Sequence, residues 1–299
     1  MSHVQAAGLK PAASLVSESL DSQYNVIMAR YFTSDLHLGS SLINKYAHRP
    51  FKDAKEALDC LTDNICKTCD CYDSLIHVGD FMLTGADRHG VEEDHGLDMS
   101  LKDYLANINP RVTLLAGNHD DGHNCEADCK SMVLDLNQNY RNVSVGHYPS
   151  TSPVIKKTWS GRTIFTKHSV NGYQGWNGTA QKPHIHLCGH VHDKWLLKYD
   201  AAKHVLNVNV GVDVWGYKPV RDAEITNLLD YYTKHCPIHD ITGSFSVTRA
   251  EFENLRSRIS EAIKTGRMQR KAEKLKKKGL TPEECERRKI EAMKKKGLM

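Results

Sequence analysis

No apolar run in this chain approaches the roughly 20 residues that a helix needs to cross a bilayer, so no membrane span is expected. No secretory leader is expected either, since the first 24 residues carry one Lys and no sustained apolar stretch. Nor is there a disulfide framework. The nine cysteines, Cys60, Cys66, Cys69, Cys71, Cys125, Cys129, Cys188, Cys236 and Cys285, are odd in number and irregularly spaced. That pattern predicts reduced thiols in a cytoplasm. Cys66-x-x-Cys69-x-Cys71 lacks the second spaced pair of a zinc site and reads as incidental thiols.

What is present is an ordinary globular composition, 40% apolar and 25% charged over 299 residues, which predicts a core of normal size. The formal charge of +4 hides an asymmetry. Residues 251–299 hold 16 Lys and Arg against 8 acidic residues, while the rest of the chain holds 24 against 28. The basic character belongs to the tail, where Lys276-Lys-Lys-Gly-Leu280 recurs as Lys294-Lys-Lys-Gly-Leu298. Thr281-Pro-Glu-Glu between the copies has the residues of a helix start. The expected organisation is an N-terminal extension over 1–27, one catalytic-sized domain over 28–245 and a basic helical tail over 246–299.

Six short apolar segments read as strands: Asn25–Thr33, Ser74–Val78, Arg111–Ala116, Arg162–Thr166, His184–Cys188 and His204–Val210. Helical patterning lies between them, as in Asp53–Cys66 and Leu97–Ile108. Alternation of strand and helix predicts an α/β fold with a largely parallel sheet. Metal-competent residues follow the strands almost immediately: Asp35-Leu-His37, Gly79-Asp80, Gly117-Asn118-His119-Asp120, His168 and Gly189-His190-Val191-His192. Ligands of open α/β sheets bind outside the carboxyl ends of the strands, so these clusters should converge.

Imidazole and carboxylate donors suit Mn, Fe, Zn, Co or Ni rather than calcium. The candidate ligands include only two carboxylates, Asp35 and Asp80. Two divalent ions held there would keep a surplus of about two positive charges, which a phosphoester substrate would neutralise.

Asp-x-His, Gly-Asp, Gly-Asn-His-Asp, a later His and Gly-His-x-His, in that order, resemble the motif set of the calcineurin-like metallophosphoesterase superfamily. Tyr31-Phe-Thr-Ser-Asp-Leu-His-Leu-Gly39, His48-Arg-Pro-Phe51 and Asn209-Val-Gly-Val-Asp-Val-Trp-Gly-Tyr-Lys-Pro219 resemble its small bacterial and phage-type members. The likeness spans about residues 28–222. It implies a four-layer α/β/β/α sandwich and a dinuclear centre, with Mn first among the candidate metals. Asp35, His37 and His192 would hold one ion, Asn118, His168 and His190 the other, and Asp80 would bridge. His119 would donate a proton or stabilise the transition state, Asp120 would orient a neighbouring ligand, and a metal-bound hydroxide would attack phosphorus. Arg49 is a candidate contact for the substrate phosphate. His147, in Val145-Gly-His-Tyr-Pro, competes for the fourth-block position. His168 is preferred because Val154–Trp159 and Arg162–Thr166 read as a hairpin delivering it at a strand end.

The resemblance implies hydrolysis of phosphomonoesters or phosphodiesters of nucleotides or nucleic acid. The net charge of +8 over residues 251–299 makes the tail either a nucleic-acid contact or a solvated helical end. A protein phosphatase is the nearest rival, but Gly79-Asp80-Phe-Met lacks the Asp-Arg-Gly of those enzymes and Gly-Asn-His-Asp replaces their Gly-Asn-His-Glu. A catalytically silent scaffold, or a nucleic-acid-binding protein that acts through its tail, are the remaining alternatives.

Overall fold

The computed structural model describes residues 28–83, 97–120, 127–150, 178–235, 243–255, 257–258, 261 and 264–265, with the backbone of 154–157 and 163–166. The N-terminal extension and the repeated Lys triplets of the tail lie outside them. The chain divides into two compact units, Met1–Phe245 and Ser246–Met299.

Elements of the first unit follow one another as β1 (Arg30–Thr33), α1 (Leu42–Tyr46), α2 (Ala54–Thr68), β2 (Ser74–Val78), α3 (Leu101–Leu105) and β3 (Arg111–Leu115). Then come β4 (Ser131–Leu134), β5 (Val143–Gly146), β6 (Val154–Lys157), β7 (Thr163–Thr166), β8 (His184–Cys188), β9 (Leu197–Asp200), β10 (Val205–Asn209), β11 (Val220–Arg221) and α4 (Asp222–His235). The fold is mixed α/β.

One sheet has the order β11-β1-β2-β3, in which β1, β2 and β3 run parallel and β11 is antiparallel. The other runs β9-β10-β8-β5-β4, with Phe245 opening a short strand beyond β9. Its centre, β10-β8-β5, is parallel, and β9 and β4 flank it antiparallel. Each sheet is therefore parallel at its heart and antiparallel at an edge, rather than parallel throughout. The expected hairpin exists as β6 and β7, in a separate two-stranded sheet.

Local chemistry accounts for the elements beside the first sheet. Asp53 caps α2 by accepting from the Glu56 N–H at 2.8 Å, and Glu56 reaches back to the Lys52 N–H at 2.8 Å. Ala57, Leu61 and Ile65 recur every fourth residue and form its buried face. Leu61 and Ile65 meet Leu36, Leu38, Leu75, Phe81, Tyr104 and Ile108 in one cluster. Burying Leu61 or Ile65 completely contributes about 2 kcal/mol each. The helix expected over 97–108 shrinks to α3. Leu97 gives its N–H to the Leu83 carbonyl instead, and Ser100 caps by accepting from the Asp103 N–H. In the second unit, Thr248 and Glu251 form a capping box at the start of helical residues 249–255. No helix among the described residues is long and apolar enough to cross a membrane.

A hydrogen-bonded chain crosses the second sheet. His184 Nε2 donates to Ser144 Oγ at 2.9 Å, Ser144 donates to His186 Nδ1 at 2.8 Å, and His186 Nε2 donates to the Tyr148 carbonyl at 2.8 Å. Burial holds His186 neutral, its pKa lowered to about 4. A histidine whose folded pKa is depressed costs stability as pH falls, because the unfolded chain takes up a proton that the folded chain refuses. That loss begins near pH 6.5 and levels off below about 4. In metal-free protein, acidification from pH 7 to 5 should cost wild type about 2 kcal/mol more than His186→Gln. Urea unfolding at the two pH values reads the difference, and equal pH dependence of the two proteins would refute it.

Candidate metal centre

The first ligand cluster is built where β1 and β2 end side by side. Beyond the strands the pairing continues, with Asp35 N–H donating to the Gly79 carbonyl (3.0 Å), His37 N–H to Asp80 (3.1 Å) and Leu38 N–H to Phe81 (3.0 Å). Asp35, His37, Asp80, His190 and His192 all have positive φ, at 59°, 48°, 58°, 70° and 51°. Left-handed backbone is uncommon for residues with a Cβ and collects at functional sites. Here it turns successive side chains out of the strand ends into a common space.

Glycine clears that space. Gly79 has φ 90°, and a Cβ there would come within 2.5 Å of Nδ1 of His147. At Gly189 a Cβ would collide with Ser34 Oγ and the Asp35 carboxylate. Both carboxylate oxygens of Asp35 instead accept the His190 N–H, at 2.9 and 3.0 Å, which ties the β8 loop of one sheet to the β1 loop of the other.

Among the described residues, two groups of side chains could hold a metal ion: Asp35, His37 and His192, and Asp80, His147 and His190. In each group the ligand atoms lie within 4.8 Å of one another. Asn118 joins the second group, its Oδ1 lying 3.0 Å from His147 Nε2 and 2.9 Å from His190 Nδ1. Asp80 stands between the groups. Its Oδ2 is 3.5 Å from His37 Nε2 and 3.2 Å from His147 Nε2, while Oδ1 accepts the His119 N–H at 2.8 Å.

The donor set fits a cation. His147 gives its Nδ1–H to the Val78 carbonyl at 2.9 Å, so a cation that displaced the Nε2 proton would find a lone pair aimed at it beside Asp80 and Asn118. Carboxylate, amide oxygen and imidazole lone pair then converge with no hydrogen between them. His37 Nε2 is buried and makes no hydrogen bond. Burial pushes the pKa of His37 down, and burial together with the His147 charge lowers His190 to about 4, so both stand ready as neutral ligands. Burial opposes a charge on His147 as well, but the Asp80 carboxylate overcomes it and lifts the pKa to about 9. Asp80 itself is held far below the carboxylate range, its burial outweighed by His147 and the neighbouring imidazoles.

No family model and no curated protein matches this chain. A solved structure of a protein of unknown function from Aquifex aeolicus is similar over 67% of this chain and 99% of its own, at 18% identity and a TM-score of 0.41.

Of the candidate residues read from the sequence, Asp35, His37, Asp80, Asn118, His190 and His192 come together. His119 is exposed beside them, its ring centroid 5.1 Å from that of His37. Asp120 is buried, and its carboxylate accepts the N–H groups of Asp80 (2.7 Å), Gly117 (2.8 Å) and Phe81 (3.0 Å). These contacts fasten it to the loop that carries Asp80. His168 lies outside the described residues, and the imidazole between Asn118 and Asp80 belongs to His147.

Arg49 is a correction. Its guanidinium is fully buried, bonded to the Asp213 carboxylate and to the carbonyls of Asp35 and Leu36, and so is not presented to a substrate phosphate. Asp213 was missed by sequence reading. Its only signal was an acidic residue inside the apolar Val210–Val214 stretch. The cysteines Cys66, Cys69 and Cys71 are free and form no metal-competent group among the described residues.

These contacts favour His147 for the fourth block. If each group holds an ion, His147→Ala should lower metal content from about two ions per chain towards one, and His168→Ala should leave it near two. Elemental analysis of both variants checks this, and the reverse pattern would return the assignment to His168.

Proposed function

We propose that this protein is a metal-dependent phosphoester hydrolase of the calcineurin-like metallophosphoesterase type, acting on phosphomonoesters or phosphodiesters of nucleotides or nucleic acid. The observation that carries the reading is the position of Asp80 Oδ2, within 3.5 Å of an imidazole from each of the two ligand groups. A single buried carboxylate between two His-rich clusters is what a dinuclear site needs, since one anion then binds both ions. The four-layer arrangement, two sheets facing each other with helices outside, belongs to the same reading. It is supported by the loops after β1 and β2 meeting those after β5 and β8 at the site.

In this reading Asp35, His37 and His192 would hold one ion, Asn118, His147 and His190 the other, and Asp80 would be shared. Ions bound there, manganese first, supply Lewis acidity towards phosphorus and neutralise phosphoryl oxygens. The chain does the rest. Asp120 fixes the backbone that carries Asp80, and the His119 N–H fixes the Asp80 carboxylate itself. That same hydrogen bond holds His119 at the rim, where its ring gives a proton to the leaving oxygen. The proton donor and the bridging ligand are thus indexed to each other through one contact.

An assay of purified protein with Mn²⁺ against an aryl phosphomonoester, an aryl phosphodiester, cyclic nucleotides and single-stranded DNA and RNA tests the proposal. Hydrolysis of at least one that stops on chelation and returns with metal is expected. Hydrolysis that survives chelation, or none of any substrate by protein shown to hold two ions, would overturn it.

A further inference from the structure

His192 reaches the first ligand group from a loop, and a loop residue with φ 51° needs something to fix its ring. Asp213 supplies it. Its Oδ2 accepts from His192 Nδ1 at 2.9 Å, which places the hydrogen on Nδ1 and leaves the Nε2 lone pair free to face Asp35 and His37. Asp213 is in turn gripped by Arg49. Nε donates to Oδ1 at 2.7 Å and an Nη to Oδ2 at 3.1 Å, a two-pronged contact that sets the carboxylate plane.

The remaining donors of Arg49 go to the Asp35 carbonyl at 2.5 Å and the Leu36 carbonyl at 3.0 Å. One guanidinium therefore joins the backbone of the Asp35–His37 turn to the carboxylate that orients His192. The side chains of Arg49 and Asp213 are 0% and 1% exposed, so neither charge is spent on solvent or on substrate. Nothing in the core of a layered α/β domain requires a buried ion pair. Apolar residues of equal volume are as stabilising or more so.

We propose that Arg49 and Asp213 are a positioning pair for one metal ion, that of Asp35, His37 and His192, and contribute nothing comparable to the other. This rests on the dinuclear reading above. The pair acts through orientation. Asp213 selects the His192 tautomer and aims its ring, and Arg49 holds Asp213 in register with the turn that carries the other two ligands. Lysine would not replace Arg49, because its single ammonium cannot span a carboxylate and two carbonyls in a plane.

The test is calorimetric titration of chelator-stripped full-length protein with Mn²⁺, beside elemental analysis and thermal unfolding. The double variant Arg49→Met/Asp213→Leu removes both charges together, so no unpaired ion is left in the core. Asp213→Asn keeps the volume and one acceptor, and decides the matter if the double variant does not fold. Each should bind one Mn²⁺ as wild type does and the second about 10- to 100-fold more weakly, the usual cost of removing a partner behind a ligand. The double variant should keep a wild-type unfolding temperature. Wild-type affinity at both sites in Asp213→Asn, or an equal loss at both sites, would overturn the positioning role. A wild-type protein that binds no Mn²⁺ would instead overturn the dinuclear reading itself.

Discussion

Asp80→Asn should bind neither ion at micromolar Mn²⁺ and lose phosphoester hydrolysis by a factor on the order of 10³ or more, while remaining folded. The size follows from a clamp worth several kcal/mol of transition-state stabilisation, at 1.36 kcal/mol for each factor of ten. The fold should survive because asparagine keeps the shape, and its Oδ1 can still accept the His119 N–H that Asp80 accepts at 2.8 Å. Its Nδ2 would be a donor where Asp80 Oδ2 now faces His37 and His147 at 3.5 and 3.2 Å. An amide hydrogen there satisfies the imidazole lone pairs without any cation, so the variant should prefer the metal-free state. Metal content by elemental analysis, with turnover on an aryl phosphodiester, checks it. Full activity or two retained ions would remove the bridging role.

His119→Ala should behave in the opposite way, keeping both ions and losing turnover by a factor on the order of 10²–10⁴, the range of general acid–base help. The structure makes the separation clean. His119 contacts Asp80 through its backbone N–H, which alanine retains, and its ring is exposed rather than one of the grouped ligands. The loss should shrink for a substrate whose leaving group departs without protonation. Comparing an aryl ester of low leaving-group pKa with an alkyl ester reads this directly. An equal loss on both would deny His119 the proton, and a lost ion would make it a ligand.

Much of the site was legible before any coordinates because its residues sit one or two positions beyond strands with clear patterns. Ser74–Val78 and His184–Cys188 were read with the bounds the structure has, and Gly79-Asp80 and Gly189-His190-Val191-His192 follow from them. The glycines were informative for a physical reason, since a Cβ at Gly79 or Gly189 would occupy the space of a neighbouring side chain. Not every short strand was legible. Val143–Gly146 and Leu197–Asp200 are four residues each, too brief for period-two alternation to stand out.

That brevity decided the fourth block. A hairpin announces itself locally, so the sequence favoured His168 after β7. It cannot say which sheet the hairpin joins, and β6 and β7 form one of their own. His147 follows β5, whose parallel pairing with β8, Ser144 opposite His186 and Val145 opposite Leu187, brings His147 out at the same sheet end as His190. Such a register joins residues about 40 apart and leaves no trace in either segment alone. Arg49 shows the same limit from the other side. In sequence it was a candidate contact for a substrate phosphate, but its partner Asp213 lies 164 residues away. The sequence by itself determined the ligand types, their order and their places at strand ends, because those are local properties of strand, turn and glycine. Which imidazole completes the second group, and that Arg49 faces inward to a carboxylate rather than outward to a phosphate, were decided by tertiary pairing. Only that pairing sets which distant side chains share a buried volume.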